Sequence, residues 1–367
     1  MQQTNIKHVY ITSVIVCILL WLIIYKIPDY YPKSPYYESD SQEDQQCTPT
    51  TFHIGEWVYD PSSNMLPKYH CIKKKFAHRC YQRLSEPEEI DRSRQIMNYR
   101  WKPSQCQLQP FDNDLVADHL LQNPVLFVGD SITQLQFESL SCLLGHRFGK
   151  REVTVNGGNP RIRVNEIGDA NKTAVAYIRS DYLLRVNDFK VMEPFDSAGA
   201  QLGSGENYPW VHAIPNFKYI VINTGPHWHP HEIWGPSRSE DELLSAFEKA
   251  MTQLYNYLKD NVRQDQTVWI RTTPHGHANC SQYTLPQSTP IAPSGKPGEY
   301  EWHLFKEFDS IWKNIIQRDN DARFQIFDVA LMTNKRGDAH SRPDKDCLHT
   351  CIPGPVDYWN MGLFSFI

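Results

Sequence analysis

The sequence contains no block or stripe of basic residues. Its 37 Lys and Arg are outnumbered by 42 Asp and Glu, and the formal net charge at pH 7 is −5. Because nucleic-acid binding depends on clustered positive charge that neutralises phosphates, we expect no nucleic-acid partner. The sequence also has no internal repeat, which excludes a repeat architecture. Its 367 residues are enough for one sizeable α/β core and an extension.

A signal-peptidase site is also missing after the apolar N-terminal stretch. Residues 9–25 carry no charge over 17 residues, a length near the lower limit for a helix that crosses a bilayer. Tyr10, Trp21 and Tyr25 lie near the ends of this stretch, and aromatic side chains favour the membrane interface. No A-x-A-like motif of small residues follows, so we favour an uncleaved anchor over a cleavable signal peptide.

Changes in composition indicate the boundaries between the parts of the chain. Residues 28–46 are short of aliphatic residues and rich in Tyr, Pro, Ser and acidic residues, which is typical of a stem. The following segment contains Cys and Trp without long periodicity. We predict five parts: a cytosolic tail at 1–8, a transmembrane anchor at 9–27, a stem at 28–46, a Cys-rich segment at 47–110 and a main α/β domain at 111–367.

Cysteine usage indicates the compartment. Of nine Cys, Cys17 lies in the predicted anchor and eight follow it: Cys47, Cys71, Cys80, Cys106, Cys142, Cys280, Cys347 and Cys351. An even number beyond an anchor predicts four disulfides in an oxidising lumen; buried free thiols in a cytosolic protein are the alternative. Asn171 and Asn279 begin N-x-S/T sequences, which predict N-glycosylation on that side of the membrane.

Two short segments have the composition of metal sites. Each spans five residues, and their members are Cys347, His349 and Cys351 in one and His227, His229 and His231 in the other. Cysteines in an oxidising lumen are expected to pair with each other, and short histidine clusters in loops commonly bind no metal. We therefore predict no metal site.

From about residue 120, apolar runs alternate with helical patterns. Four runs have the length and composition of buried strands: 125–128, 217–223, 267–272 and 324–329. Helical spacing is found at 132–144, 239–259 and 301–317, and Ser239 and Glu242 have the spacing of a capping box. This alternation predicts a three-layer α/β/α sandwich in which helices cover both faces of a mostly parallel sheet.

The first strand ends in Gly129-Asp130-Ser131, directly before a helix. In a sheet of this kind, ligands bind beyond the carboxyl ends of the strands. A sharp turn there would expose the Ser131 hydroxyl together with amide N–H groups that stabilise an oxyanion when the serine attacks an ester carbonyl. Gly129 would let the backbone turn. The alternative is that Asp130 or Ser131 only caps the helix.

A serine nucleophile needs a base, and the C-terminal sequence offers one. Asp346 and His349 lie three residues apart, so that one turn can present both side chains on the same side. The carboxylate would then orient the imidazole, and His349 would accept the serine proton. Asn223, at the end of the second strand, is a candidate oxyanion donor, or an ordinary turn residue before Thr224 and Gly225.

Seven sequence blocks resemble, in the same order, those of the trichome-birefringence-like family of polysaccharide O-acetyltransferases, which is a GDSL/SGNH-type (PC-esterase) family. The blocks are GEWVYD (55–60), YRWKPSQC (99–106), FVGDSITQLQFESLSCLL (127–144), VINTGPHW (221–228), WIRTTPHGH (269–277), KRGDAHS (335–341) and DCLHTCIPGPVDYWN (346–360). The chain departs from the family at Leu135-Gln136-Phe137, where Asn-Gln-Trp is usual. The resemblance implies an SGNH-hydrolase-like sandwich.

The resemblance also implies roles for single residues. Ser131 would be the nucleophile, His349 the general base and Asp346 its orienting partner. Gly129 and Asp130 complete the first block, and Asn223 with Gly225 falls on the proposed oxyanion position. The family's disulfide arrangement implies the pairs Cys47–Cys106, Cys71–Cys142, Cys80–Cys347 and Cys280–Cys351.

At the level of function, the resemblance implies a single-pass type II enzyme of the Golgi membrane with a lumenal catalytic domain. It would move an acetyl group through an acyl-serine onto a hydroxyl of a polysaccharide or glycan. It would need no bound cofactor but an acetyl donor, either acetyl-CoA or another activated acetyl carrier. A carbohydrate acyl esterase of the same fold and an inactive glycan-binding or scaffolding protein are the alternatives.

Overall fold

A seven-stranded sheet is the centre of the fold in the computed structural model of the chain. Two strands form a separate antiparallel pair, β1 (Gly55–Tyr59) and β2 (Tyr99–Pro103). The sheet consists of β3 (Val125–Gly129), β4 (Gly149–Thr154), β5 (Arg163–Gly168), β6 (Thr173–Arg179), β7 (Tyr219–Ile222), β8 (Thr267–Arg271) and β9 (Phe324–Phe327). A second antiparallel pair consists of β10 (His340–Arg342) and β11 (Asp346–Thr350).

The structure describes residues 45–63, 69–71, 78, 80, 87–154, 163–169, 171–186, 189, 210–293, 301–343 and 345–367. The predicted tail and anchor, and the predicted stem up to residue 44, lie outside these residues. Within the described ranges, no helix is both long enough and apolar enough to cross a bilayer.

The strand order confirms a mostly parallel sheet. It is β4-β5-β6-β3-β7-β8-β9, in which β6, β3, β7, β8 and β9 run parallel and β5 runs antiparallel to both of its neighbours. Every residue of β3 and β7 is buried. Strands that are covered on both faces need continuous apolar runs, which is why these two segments lack the alternation of a half-exposed strand.

Seven α-helices surround the sheet among the described residues. They are α1 (Pro87–Met97), α2 (Asn113–Gln122), α3 (Ser131–Leu143), α4 (Glu240–Asn261), α5 (Phe305–Asp319), α6 (Ala330–Thr333) and α7 (Pro355–Ser365). Helix α3 packs against α7, and α4 packs against α5. The connections through α3 and α4 cross the sheet in opposite directions, and right-handed crossovers of that kind put the helices on opposite faces. This arrangement fits the expected α/β/α sandwich.

The start of α4 confirms the predicted capping box. The Ser239 hydroxyl accepts a hydrogen bond from the Glu242 N–H at 3.2 Å, and the Glu242 carboxylate accepts one from the Ser239 N–H at 3.2 Å. Two amide hydrogens at the helix end are thereby satisfied. On the side facing the core, Leu243, Phe247 and Leu254 are fully buried, as their helical spacing predicts.

Two of the four disulfides agree with the pairing that the resemblance implied, and two exchange partners. Cys47–Cys106 and Cys71–Cys142 are as expected. Instead of Cys80–Cys347 and Cys280–Cys351, the structure contains Cys80–Cys351 and Cys280–Cys347, with Cα–Cα distances of 5.4 and 5.5 Å. The predicted pairing of these four cysteines was therefore wrong.

Backbone contacts explain the exchange. The Cys80 N–H donates to the Ile352 carbonyl at 3.3 Å, which places Cys80 beside Cys351. The His277 N–H donates to the Cys347 carbonyl at 2.9 Å, which brings Cys280 beside Cys347. Because a disulfide needs Cα atoms roughly 4–7 Å apart, these neighbours determine the pairing. Both ends of β11 are still tied to distant segments.

A buried carboxyl joins α7 to α3. Asp357 is fully buried; its Oδ1 accepts a hydrogen bond from the Ser139 hydroxyl at 2.6 Å, and its Oδ2 accepts one from the Gly354 N–H at 2.5 Å. Burial raises the pKa of Asp357 from 3.8 to about 8, although nearby backbone N–H groups oppose the shift. The proton is thus held more tightly in the folded protein than in the unfolded chain.

This raised pKa makes the stability depend on pH. The contribution of the protonated Asp357 is complete below 3.8 and is lost as the pH rises towards about 8. We predict that Asp357→Asn removes this decline from the free energy of unfolding, whereas the exposed α4 substitution Asp241→Asn leaves it in place. Urea unfolding of the three proteins between pH 4 and pH 9 measures the effect; parallel profiles for wild type and Asp357→Asn would contradict it.

Candidate active site

The turn between β3 and α3 consists of a single residue. β3 ends at Gly129 and α3 begins at Ser131, so only Asp130 lies between them. Asp130 is fully buried, and its Oδ1 accepts a hydrogen bond from the Ile132 N–H at 2.8 Å. The capping alternative therefore holds for Asp130, while the half-buried Ser131 keeps its hydroxyl for other contacts.

Gly129 is required by this turn. Its φ is 155°, and a Cβ at this position would lie 2.4 Å from Thr133 Oγ1 and 2.5 Å from the Asn223 carbonyl oxygen. The Tyr177 hydroxyl is within hydrogen-bond distance of two carbonyl oxygens of the turn and can donate to either. It lies 3.2 Å from that of Gly129 and 3.1 Å from that of Asp130. The backbone of the turn is thus enclosed by α3, by β6 and by the residue that follows β7, which leave no room for a side chain on Gly129.

The three side chains predicted to act together do meet. His349 Nε2 lies 2.8 Å from Ser131 Oγ, although the two residues are 218 positions apart. His349 Nδ1 lies 3.0 and 3.1 Å from the two carboxylate oxygens of Asp346. Since a carboxylate only accepts hydrogen bonds, Nδ1 carries the proton in the neutral ring, which leaves Nε2 free to accept one from the serine.

The backbone that carries the acid and the base differs from the prediction. Asp346 and His349 lie on β11, which pairs with β10 in an irregular register, and not on a turn. Residues three apart on a regular strand point to opposite faces. Here the Asp346 carboxylate accepts hydrogen bonds from the N–H groups of Leu348 and His349 at 3.2 and 3.1 Å, which brings it to the imidazole.

The electrostatics of Asp346 suit an orienting carboxylate. Burial alone would raise its pKa, but the hydrogen bond and positive charge of His349 and the two backbone N–H donors outweigh burial. The pKa of Asp346 therefore lies well below its usual range. The carboxylate stays ionised at neutral pH and can stabilise a positive charge on the imidazole.

Asn223 lies beside the turn, and the structure gives its side-chain amide other partners than an oxyanion. Its Nδ2 donates to the Arg271 carbonyl and to Thr273 Oγ1, both at 2.8 Å, which uses both amide hydrogens. A Cβ on Gly225 would lie 3.1 Å from the same Thr273 Oγ1, so Gly225 packs closely on this residue. The structure thus assigns Asn223 to the connection between the ends of β7 and β8.

In the structure, residues of the two suspected metal-binding segments are engaged with other partners. His227, His229 and His231 contact three different partners, the Asp181 carboxylate at 3.5 Å, the Glu301 carboxylate and the Ile233 N–H at 3.1 Å. Cys347 and Cys351 are each in a disulfide. The predicted glycosylation sites Asn171 and Asn279 are both exposed.

Arg271, at the end of β8, supports the site and was missed by sequence reasoning. It is buried, its Nη2 donates to Thr133 Oγ1 at 2.9 Å, and its guanidinium lies 4.9 Å from the centroid of the Trp359 ring. Burial lowers the pKa of Arg271 to about 10, although the negative charges of Asp130 and Asp309 act to raise it. An arginine that ends an apolar strand was the available signal, because arginine is rarely buried without a specific partner.

We predict that Gly129→Ala destabilises the protein by about 3 kcal/mol, because a Cβ there meets backbone as well as side-chain atoms. Gly225→Ala is the matched control. Its Cβ meets only the Thr273 side chain, so the expected loss is no more than about 1 kcal/mol. Urea unfolding of both variants measures the difference, and equal losses would show that the turn does not require glycine.

Comparison with known proteins identifies the family of the chain. Residues 108–366 match the model of PC-Esterase, described as the GDSL/SGNH-like acyl-esterase family found in Pmr5 and Cas1p. Among relatives from Arabidopsis thaliana, protein YLS7 is 24% identical over 382 residues, covering 90% of this chain and 72% of that protein. Protein trichome birefringence-like 42 is 25% identical over 357 residues, with coverages of 88% and 90%.

A third relative carries an activity in its name. Xyloglucan O-acetyltransferase 1 from Arabidopsis thaliana is 25% identical over 350 residues, covering 83% of this chain and 77% of that protein. The resemblance to trichome-birefringence-like proteins, inferred from the sequence blocks, is thereby confirmed. The matched region contains both the strand-to-helix turn and β11, and the chain belongs to the PC-Esterase family of GDSL/SGNH-like acyl-esterases.

Proposed function

We propose that this chain is an O-acetyltransferase that moves an acetyl group through an acyl-serine onto a hydroxyl of a polysaccharide or glycan. The observation that carries the proposal is the hydrogen-bonded series Ser131–His349–Asp346, with 2.8 Å between the serine oxygen and the imidazole. Such a series activates a serine for acyl transfer.

The first half-reaction forms the acyl-serine. The Ser131 hydroxyl gives its proton to His349 Nε2 while Oγ attacks the carbonyl carbon of the acetyl donor. Asp346 stabilises the resulting imidazolium through Nδ1–H. The positive end of α3, at the residue that carries the nucleophile, favours the negative charge on the carbonyl oxygen. As the bond to the donor breaks, His349 returns the proton to the leaving group.

The second half-reaction transfers the acetyl group. A sugar hydroxyl gives its proton to His349 Nε2 and attacks the carbonyl carbon of acetyl-Ser131. The bond between Oγ and the acetyl carbon breaks, and His349 returns the proton to Oγ. Each chemical group begins and ends in the same protonation state, so the acetyl donor and the acceptor are the only compounds consumed.

One relative supports the substrate class, and features of this chain support the cellular setting. Xyloglucan O-acetyltransferase 1 acetylates a polysaccharide, as its name states, which favours a polysaccharide or glycan acceptor here. The donor would be acetyl-CoA or another activated acetyl carrier. Four disulfides and an apolar N-terminal stretch support a type II Golgi membrane protein with residues 47–367 in the lumen.

An esterase is the second candidate, because the family description names acyl-esterases. It would perform the same first half-reaction and then use water in place of the sugar hydroxyl. Addition of an acceptor distinguishes the two. A transferase moves the acetyl group to the acceptor, whereas an esterase releases acetate at a rate that no acceptor changes.

We predict that the full-length protein, incubated with an acetyl donor and no acceptor, gains the mass of one acetyl group on Ser131. Added glycan should then remove that mass and become acetylated. Intact-mass and peptide mass spectrometry measure both steps. Ser131→Ala should neither gain the mass nor acetylate the glycan; acetyl transfer retained by this variant would contradict an acyl-Ser131 intermediate.

We predict that Asp346→Asn lowers kcat for acetyl transfer by about 10³-fold, because the amide no longer holds the imidazole in the correct tautomer. The KM for the acceptor should change little, since Asp346 is in contact with the base and not with the sugar. Arg342→Gln, which removes the 3.4 Å ion pair on the outer side of Asp346, is the control and should retain kcat within about twofold. Equal losses in both variants would contradict the orienting role.

A further inference from the structure

A second histidine covers one face of the proposed base. The ring of His78 lies 4.4 Å from the His349 ring, centroid to centroid, and the two planes differ by 11°. His78 is buried and comes from the Cys-rich segment, 271 positions before His349. No sequence motif singled it out.

Several contacts fix His78 in this place. Its Nδ1 lies 2.7 Å from Ser341 Oγ, and its carbonyl accepts a hydrogen bond from the Ile352 N–H at 2.9 Å. Two residues later, Cys80 is joined to Cys351 by a disulfide. The backbone at His78 and Cys80 is thus tied to the chain that directly follows His349.

The two hydrogen bonds of His349 leave one direction of movement weakly restrained. Ser131 and Asp346 bond to Nε2 and Nδ1, and such bonds lie close to the ring plane. They hold the imidazole along the line that joins serine and carboxylate, but they resist displacement perpendicular to the ring only weakly. A parallel ring in van der Waals contact resists that displacement.

We propose that His78 is a positioning residue for the general base. It keeps His349 Nε2 aligned with Ser131 Oγ, and the Cys80–Cys351 disulfide holds it there. The ring face of His78 also lies against the imidazole that becomes positively charged, and an aromatic face favours a cation. This inference rests on the proposed function, because it assigns His349 the role of base.

Shared metal binding is a less suitable explanation of the pair. His78, Asp346 and His349 each offer one ligand atom, and these atoms lie within 4.8 Å of one another. The lone pairs of ring nitrogens lie in the ring planes, and nearly parallel stacked rings direct them side by side, not towards one point. Tetrahedral coordination needs lone pairs that converge at about 2 Å from the metal.

The rate at which Ser131 reacts with a fluorophosphonate, a serine-directed phosphonylating probe, tests the proposal without an acceptor. Oγ displaces fluoride at phosphorus while His349 takes the serine proton. We expect His78→Ala and His78→Leu in the full-length protein to react about tenfold more slowly. His78→Phe keeps a flat ring and should stay within about twofold of wild type. The exposed control, His212→Ala, should react like wild type.

Further measurements separate positioning from folding. Thermal unfolding and the mass of the unreduced protein report whether each variant is folded with four disulfides. If His78→Ala unfolds, His78→Leu replaces it, because the leucine side chain fills the space of the His78 ring. In the acetyl-transfer assay, kcat should fall in His78→Leu while the KM for the acceptor stays constant.

The possible outcomes distinguish the role of His78 from the proposed function. Wild-type rates in folded His78→Leu, with Ser131→Ala unlabelled, would overturn the role of His78 and leave the proposed function intact. Equal slowing of His78→Phe and His78→Leu would overturn positioning by the ring face. A wild-type protein that does not react at Ser131 would overturn the proposed function, and this inference with it.

Discussion

The hydrogen bond between Ser131 Oγ and His349 Nε2 is the interaction on which the account of the site depends. It joins the start of α3 to β11 across 218 residues of sequence, at a distance of 2.8 Å. A bond between such distant segments forms only if the sheet and the C-terminal pair of strands are both in place. The fold therefore matters for function chiefly because it brings these two atoms together.

Each partner in this bond is held by several independent contacts. On the serine side, a fully buried strand, a glycine whose position leaves no room for a Cβ and the Asp130 cap fix where α3 begins. On the histidine side, two disulfides anchor Cys347 and Cys351, on either side of His349. Catalytic geometry tolerates little displacement, and these covalent ties limit the displacement of His349.

Four of the seven strands of the sheet were predictable from short, mainly apolar runs. β3, β7, β8 and β9 were found because strands of a sheet covered on both faces are mostly apolar. β4, β5 and β6 were missed: β4 and β5 carry charged residues such as Lys150 and Glu166, whereas residues 174–178 of β6 form a buried apolar run that was overlooked. β10 and β11 are short, and their pairing depends on contacts with 78–80 and 277–280 that local sequence does not contain.

Some residues of the candidate site could be predicted from the sequence and others could not. Ser131, His349 and Asp346 could be selected from the sequence because each lies in a compact motif, whereas the contact of Asn223 with Thr273 cannot be read from the strand that precedes Asn223. The contacts of His78 with His349 and of Arg271 with Thr133 each join residues more than 130 positions apart. The disulfide pairs were also mispredicted because they depend on distant contacts. Cys347 and Cys351 lie only four residues apart, and the partner of each cysteine depends on which distant segment of backbone lies beside it.

The most direct test of the account is the release of the donor's leaving group in the absence of any acceptor, followed on the millisecond-to-second scale. An acyl-serine intermediate predicts a burst equal to one leaving group per chain, because the acetyl group stays on Ser131 until an acceptor hydroxyl binds. Replacement of Ser131 by Ala should abolish both the burst and the later transfer. Transfer to an added glycan that continues unchanged in the Ser131→Ala protein would contradict the account.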